Sequence, residues 1–321
     1  MPLIASGLGR GDHIGGCKAR WGIGRMDFIV PPGLYAIGHP SANDPVLVTA
    51  NYKMSYDLVR RSLAGRNIWL LVLETYGINV WCAAGKGSFG TEELVSRVKA
   101  TRLAAVVSHR RLILPILGAS GIAAHEVARQ TGFRVSYAAI RADDLPEYLD
   151  NGMVTTAMMR QLTFTFYERM VLIPVELIQG LKTVIIIGMT LLLLLSILWG
   201  PTVGIAGFCA WLGAWLSGVA VGPLLLPWLP GRSFAVKGGV VGLLWSLLFY
   251  AVADGDAWNG AVTGALFLAL PAVSAFYMLN FTGSTPYTSR SGVKKEMRLA
   301  LPAIGGVVVV SLILLLVGRF L

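Results

Sequence analysis

Cys82 stands in the run Asn79-Val80-Trp81-Cys82-Ala83-Ala84-Gly85-Lys86, where one thiol follows a bulky indole and precedes two alanines and a glycine. A thiol flanked by small residues lets a large flat ligand pack over it. The competing reading is a small, buried packing residue, as free cysteines often are. If the run is helical, Cys82 and Lys86 lie one turn apart on one face, where the ammonium could help hold a thiolate. The other cysteines, Cys17 and Cys209, are distant in sequence, and no Cys-x-x-Cys occurs. That pattern disfavours a disulfide framework, a structural zinc site and an iron–sulfur cluster held by this chain alone. Any electron carrier would then be another protein.

The turn that follows, Gly85-Lys86-Gly87-Ser88-Phe89-Gly90, matches the G-x-G-x-x-G of dinucleotide sites. No Asp or Glu follows it at the distance where a ribose ligand is expected. His109-Arg110-Arg111 could instead meet a ribose phosphate, and no G-x-x-x-x-G-K-[ST] phosphate loop occurs. A membrane receptor or transporter subunit with a nucleotide-binding domain therefore stands as one alternative function.

The elements that must position Cys82 read as α/β. Short apolar runs at 45–49, 68–73, 112–117 and 134–140 alternate with amphipathic stretches at 55–63, 91–102, 122–131 and 145–151, the pattern of strands and helices around a parallel sheet. Thr91 is placed to cap the helix from 91, with Glu92 and Glu93 at its positive end and Arg97, Lys99 and Arg102 at its negative end. Ligands in such folds bind beyond the carboxyl ends of the strands. That rim holds Thr49-Ala50-Asn51, Glu74-Thr75 and Gly118-Ala119-Ser120-Gly121. Gly118, Ala119 and Gly121 could admit a ring close to the backbone or merely form a turn. Residues 1–44, rich in Gly and Pro, read as an irregular arm.

The rest of the chain belongs to lipid. With 55% hydrophobic and 14% charged residues, the composition is too apolar for an ordinary soluble protein. Twelve of the 17 acidic residues and all four histidines precede residue 161. Five segments, at 183–199, 203–221, 238–253, 260–281 and 301–321, approach the length of about 20 residues that spans a bilayer. The expected organisation is an α/β Rossmann-like domain over 1–160, an interfacial linker over 161–182 and an all-α transmembrane bundle of about five helices over 183–321. Arg232, Lys237, Arg290, Lys294, Lys295 and Arg298 fall on one side of the spans and Arg319 on the other, which puts the first domain in the cytoplasm of an inner-membrane protein. No cleavable signal is visible at the N-terminus. No span has an ionisable residue near its centre, which disfavours a transporter. The net charge of +10 lacks a basic run interleaved with aromatics, so nucleic acid is not an expected partner.

Residues 79–86 resemble the signature of the HgcA family, the corrinoid proteins of anaerobic mercury methylation. The soluble half is similar to the corrinoid-binding domain of corrinoid iron–sulfur proteins, through 46–53, 117–127 and Gly132-Phe133-Arg134-Val135. The resemblance implies a helix at 79–86 capping a cobalamin or related corrinoid, with Cys82 as lower axial cobalt ligand and with Asn79, Val80, Trp81, Ala83, Ala84, Gly85 and Lys86 shaping the cap. Thr49, Asn51, Gly118, Ala119 and Gly121 are the further candidate contacts. It also implies methyl transfer from cobalt to Hg(II), a methyl donor protein or methyl-folate, and a ferredoxin-type iron–sulfur partner that returns two electrons per turn. A corrinoid methyl carrier of one-carbon metabolism is the alternative within enzymes.

Overall fold

Residues 1–44 are not an irregular arm. In a computed structural model, which describes residues 1–285 and 288–321 with the side chains of Ser284 and Arg290 left out, they form Leu3–Ile4 (β1), Arg10–Arg20 (α1) and Gly33–Ile37 (β2). Three glycines in α1 argue against a helix on propensity. Tertiary ties override them. Gly9 N–H donates to Asp12 Oδ2 at 2.9 Å at the helix start, and Asp12 pairs with Lys53 and with Arg60 at 2.7 Å.

The chain continues through Val46–Ala50 (β3), Lys53–Ser62 (α2), Ile68–Leu73 (β4), Val80–Lys86 (α3), Thr91–Ala100 (α4), Leu103–Val106 (α5) and Arg111–Leu114 (β5). A 3-10 turn at Ile116–Gly121, Ala124–Thr131 (α6), Arg134–Tyr137 (β6) and Leu145–Asp150 (α7) complete the unit Met1–Leu162. The strand expected over 112–117 ends at Leu114, because Pro115 has no N–H for the ladder and the chain coils at once into the 3-10 turn. The strand expected over 134–140 likewise stops at Tyr137.

The six strands lie in the order β1-β2-β4-β3-β5-β6. The sheet is parallel except that β2 runs antiparallel to β4, from Gly33 opposite Val72 to Ile37 opposite Ile68. Both faces of the central strands are covered, so β4 is a continuous apolar run and β3 is apolar but for the buried Thr49, with no polar alternation. Val46, Val48 and Ala50 join Phe89, Leu94 and Phe133 in one core, while Leu47 joins Tyr56, Ile113 and Tyr148 in the other. From β3 the chain passes first to β4 on one side, then crosses to β5 and β6 on the other. The strand order therefore reverses between β3 and β5, which marks the place where open α/β sheets open a crevice.

The unit Thr163–Leu321 is helical: Phe166–Met170 (α8), Ile173–Trp199 (α9), Pro201–Leu216 (α10), a π-turn at Ser217–Val221, Gly222–Leu225 (α11), Phe234–Val252 (α12), Gly260–Asn280 (α13) and Arg290–Val317 (α14). Among the described residues there are 5 helical stretches long and apolar enough to cross a membrane. Two boundaries differ from expectation. Residues 173–182 continue into α9 instead of forming a separate interfacial linker, and Lys294, Lys295 and Arg298 ride on α14 instead of a loop. Lys237 is also helical and buried, its Nζ donating to the Leu226 carbonyl at 2.6 Å. Arg290, counted for orientation, has its side chain outside the described residues.

Candidate functional site

Asn79 starts α3: its Oδ1 accepts from Cys82 N–H at 2.9 Å, satisfying a donor that the helix itself leaves free. Gly87, at φ 88°, stops the helix in the left-handed conformation that glycine adopts without strain. Between these ends the spacing of Val80, Ala83 and Ala84 puts three apolar side chains into the core. Trp81, Cys82, Gly85 and Lys86 are left on the solvent face. Cys82 is therefore an exposed thiol, not a buried packing residue.

The inner face of α3 is seated on a close backbone approach. A Cβ at Gly121 would lie 2.2 Å from the Phe89 carbonyl oxygen and 3.1 Å from Ala84 Cα, and one at Gly118 would lie 2.5 Å from the fully buried Phe89 ring. These glycines let the 3-10 turn pack under the cap. Of the two readings open for them, a close approach to a ring or a turn, the packing accounts for the turn. Ala119 sits on the same turn, its carbonyl accepting from Ile122 N–H at 3.3 Å, and also stays out of the cleft described next.

Beside α3 a cleft of about 250 Å³ opens at the crossover between β3 and β5. Thr49 at the end of β3 and Leu114-Pro115 at the end of β5 form its floor. Asn79, Val80 and Trp81 form one wall, Ser55, Leu58 and Val59 of α2 another, and Ala138–Ala142 after β6 a third. The lining is largely apolar, and Trp81 (38% exposed) and Leu58 (42%) stand open at it. Residues from α2 and from the stretch after β6 were not anticipated. The small pair Ala138-Ala139 lies within the strand expected over 134–140 and follows the strand only because β6 stops at Tyr137.

Asn51 has a structural role in the loop. It is completely buried, and its amide is consumed by the loop that delivers α3. Nδ2 donates to Glu74 Oε1 at 2.6 Å, and Oδ1 accepts from Thr75 N at 3.1 Å, Thr75 Oγ1 at 2.9 Å and Gly77 N at 3.3 Å. Glu93 braces the same loop by accepting from Glu74 N at 2.8 Å. Gly77 is required there, since its φ is +70° and a Cβ would lie 2.6 Å from the Met26 carbonyl oxygen. Thr91, expected as a cap, is already the first helical residue of α4, and its Oγ1 accepts from Ala123 N at 2.8 Å.

The G-x-G-x-x-G of residues 85–90 also has a structural explanation. It begins in the last turn of helix α3, where a dinucleotide fingerprint follows a strand. Gly87 ends that helix and Gly90 caps the start of α4, packed so tightly that a Cβ would lie 2.5 Å from the Gly87 carbonyl oxygen. His109 is occupied as well, with Nε2 2.9 Å from the Asp44 carbonyl oxygen.

Among the described residues no group of three or more His, Cys, Asp or Glu side chains could hold a metal ion. Cys82 can offer one soft ligand and no more, so a metal at this site must bring its other ligands with it. Around the sulfur the surface is open: a Cβ added at Gly85 would have no neighbour within 4 Å.

Residues 25–146 match the family described as CdhD, the CO dehydrogenase/acetyl-CoA synthase delta subunit. Subunit gamma of the acetyl-CoA decarbonylase/synthase complex of Methanopyrus kandleri is 36% identical over 123 residues, which is 38% of this chain and 26% of that protein. The same subunit from Methanocaldococcus jannaschii is 39% identical over 93 residues (28% and 19%), and that from Archaeoglobus fulgidus 36% over 108 residues (33% and 23%). The chain thus spans 26% or less of the length of these relatives. Every residue lining the cleft, from Leu47 to Leu145, falls inside the matched segment. The first half of the chain accordingly contains a domain related to the gamma subunit of that complex, and a region of long apolar helices follows it.

Proposed function

We propose that this chain is a membrane-anchored, corrinoid-dependent methyltransferase in which Cys82 is the lower axial ligand of cobalt and Hg(II) is the methyl acceptor. The observation that carries the proposal is the exposed thiol on the outer face of α3, beside an apolar cleft at the strand crossover. A flat macrocycle that takes one ligand from the protein suits that surface. When bound, the corrinoid supplies a cobalt centre that carries a methyl group, and a soft thiolate donor favours its release as a carbanion equivalent to an electrophile such as Hg(II).

The chain's own residues have positioning roles. Asn79 fixes the backbone at Cys82, Ala83 and Ala84 keep α3 low against the domain, and Trp81 and Thr49 border the cleft. Lys86 shares the exposed face of α3 one turn from Cys82. Neither Cys17 nor Cys209 is near enough in the chain to make a cluster, so a ferredoxin-type partner returns the electrons, and the methyl group comes from a donor protein or methyl-folate. The excess of basic residues near one set of ends of the apolar helices supports a cytoplasmic α/β unit.

One observation favours a second reading, a corrinoid methyl carrier of one-carbon metabolism: the relatives named above are subunits of an acetyl-CoA decarbonylase/synthase complex. The full chain, purified without oxygen, tests both. Under the first proposal it holds a corrinoid whose visible spectrum changes in Cys82→Ala, and that variant no longer methylates Hg(II). A chain that binds no corrinoid, or a Cys82→Ala variant that methylates Hg(II) normally, overturns it. Faster methyl transfer to another acceptor than to Hg(II) establishes the second reading instead.

A further inference from the structure

The helical unit carries a site of its own. Helices α12, α13 and α14 border a cleft of about 820 Å³, far from any charge along most of its depth. Ala272, Ala275, Ala300 and Ala303 make it wide, and Phe267 and Leu299 add to its apolar wall. Arg232 and Lys295 stand at its mouth, both exposed. Among the described residues neither is in an ion pair. The one carboxylate in the lining, Glu296, is already engaged: its Oε1 accepts from Ser233 Oγ at 2.8 Å and from Ala235 N at 2.9 Å. The mouth therefore presents two cations against one carboxylate that is turned to neutral donors, a net positive charge above an apolar slot.

Helix length places that mouth at the bilayer surface. With 28 residues, α14 is about 42 Å long, against a hydrocarbon core of about 30 Å. Its charge-free run begins at Leu299, so Lys295 lies one turn outside the apolar stretch, at headgroup level. A basic pocket between helices at this depth suits the phosphate of an anionic lipid.

We propose that this cleft binds one anionic phospholipid, with an acyl chain between α12, α13 and α14 and its phosphate between Arg232 and Lys295. Charge decides against a zwitterionic lipid as the preferred occupant, because a neutral headgroup leaves the net positive charge of Arg232, Lys295 and Glu296 uncompensated. The apolar depth decides against a free phosphate.

Native mass spectrometry of the full chain in detergent tests this, with phosphatidylglycerol and phosphatidylcholine of identical acyl chains as probes. The wild type retains phosphatidylglycerol in preference, one molecule per chain. Replacing both cations, Arg232→Gln with Lys295→Gln, lowers that retention about thirtyfold, the product of two surface attractions, and leaves phosphatidylcholine unchanged. Lys294→Gln, outside the lining, has no such effect. Ala303→Phe, at an exposed position where the fold tolerates bulk, lowers retention of both lipids. Equal retention of the two lipids, full retention by the double variant, a Lys294→Gln loss as large as that of the double variant, or a lipid-free dimer closing the cleft would each overturn the proposal.

Discussion

Replacing Asn51 by Asp changes one atom group and tests whether the loop into α3 is held as described. The variant keeps an oxygen facing Thr75 N, Thr75 Oγ1 and Gly77 N, but it puts a second oxygen where Nδ2 now donates to Glu74 Oε1 at 2.6 Å. Two carboxylates at that distance repel by about 6 kcal/mol at an effective dielectric near 20. The pair escapes by taking up one proton. At pH 7 that costs about 4 kcal/mol for a carboxyl with an ordinary value near 4, so about 4 kcal/mol is the ceiling. The folded pair titrates above its unfolded value, hence stability is retained below about pH 4 and is lost by about 1.4 kcal/mol per unit as pH rises. Hydrogen exchange of the β3 amides in the full chain, read at pH 5, 6 and 7, measures the opening free energy. A deficit of about 1.4 kcal/mol at pH 5 should grow to about 4 kcal/mol at pH 7. Asn51→Ala should instead lose about 1–3 kcal/mol at every pH, through unpaired loop donors. An Asp variant as stable as wild type at pH 7, or one whose deficit is the same at pH 5 and 7, would refute the loop's dependence on this amide.

Other expectations follow from the same geometry. Gly121→Ala drives a methyl into the Phe89 carbonyl and should destabilise the α/β unit by about 1–3 kcal/mol, seen as a lower thermal midpoint. Gly85→Ala meets open space on a helix and should stabilise α3 by about 0.5–1 kcal/mol; under the proposed function its methyl also intrudes on the face that the corrinoid would cover and weakens corrinoid retention, a combination that a purely structural role for α3 does not produce. The Lys53 ammonium, with the Arg60 guanidinium, holds the Asp12 carboxyl well below the usual carboxylate range. Its contribution is therefore complete above about pH 4 and declines as pH falls below that value, so limited proteolysis should release the first 44 residues more readily in acid, and in Asp12→Asn at neutral pH. A bound corrinoid should protect Cys82 from maleimide while exposed Cys17 still reacts; equal labelling of the two in the loaded chain would count against cobalt ligation.

Two kinds of information were divided between chain and fold. Local composition was enough for the five apolar helices, because burying backbone in lipid demands a long uncharged run whatever its neighbours are. It was also enough for the strands β3 and β4, whereas the helix at 79–86 was an implication of the family resemblance, with Asn79, the alanine pair and the glycine at 87 as its start, packing face and stop. The roles of Asn51, Gly118 and Gly121 were decided elsewhere. Each depends on a partner more than 20 residues away, at Glu74 and Thr75 or at Phe89 and Ala84, and no local pattern encodes which group will face it. The arm at 1–44 was misread for the same reason, since β2 exists by pairing with β4 and α1 by its ties to α2. The cleft beside Cys82 belongs wholly to tertiary structure: it forms where β5 returns to the far side of β3, and the order of strands is settled only when the chain has closed around them.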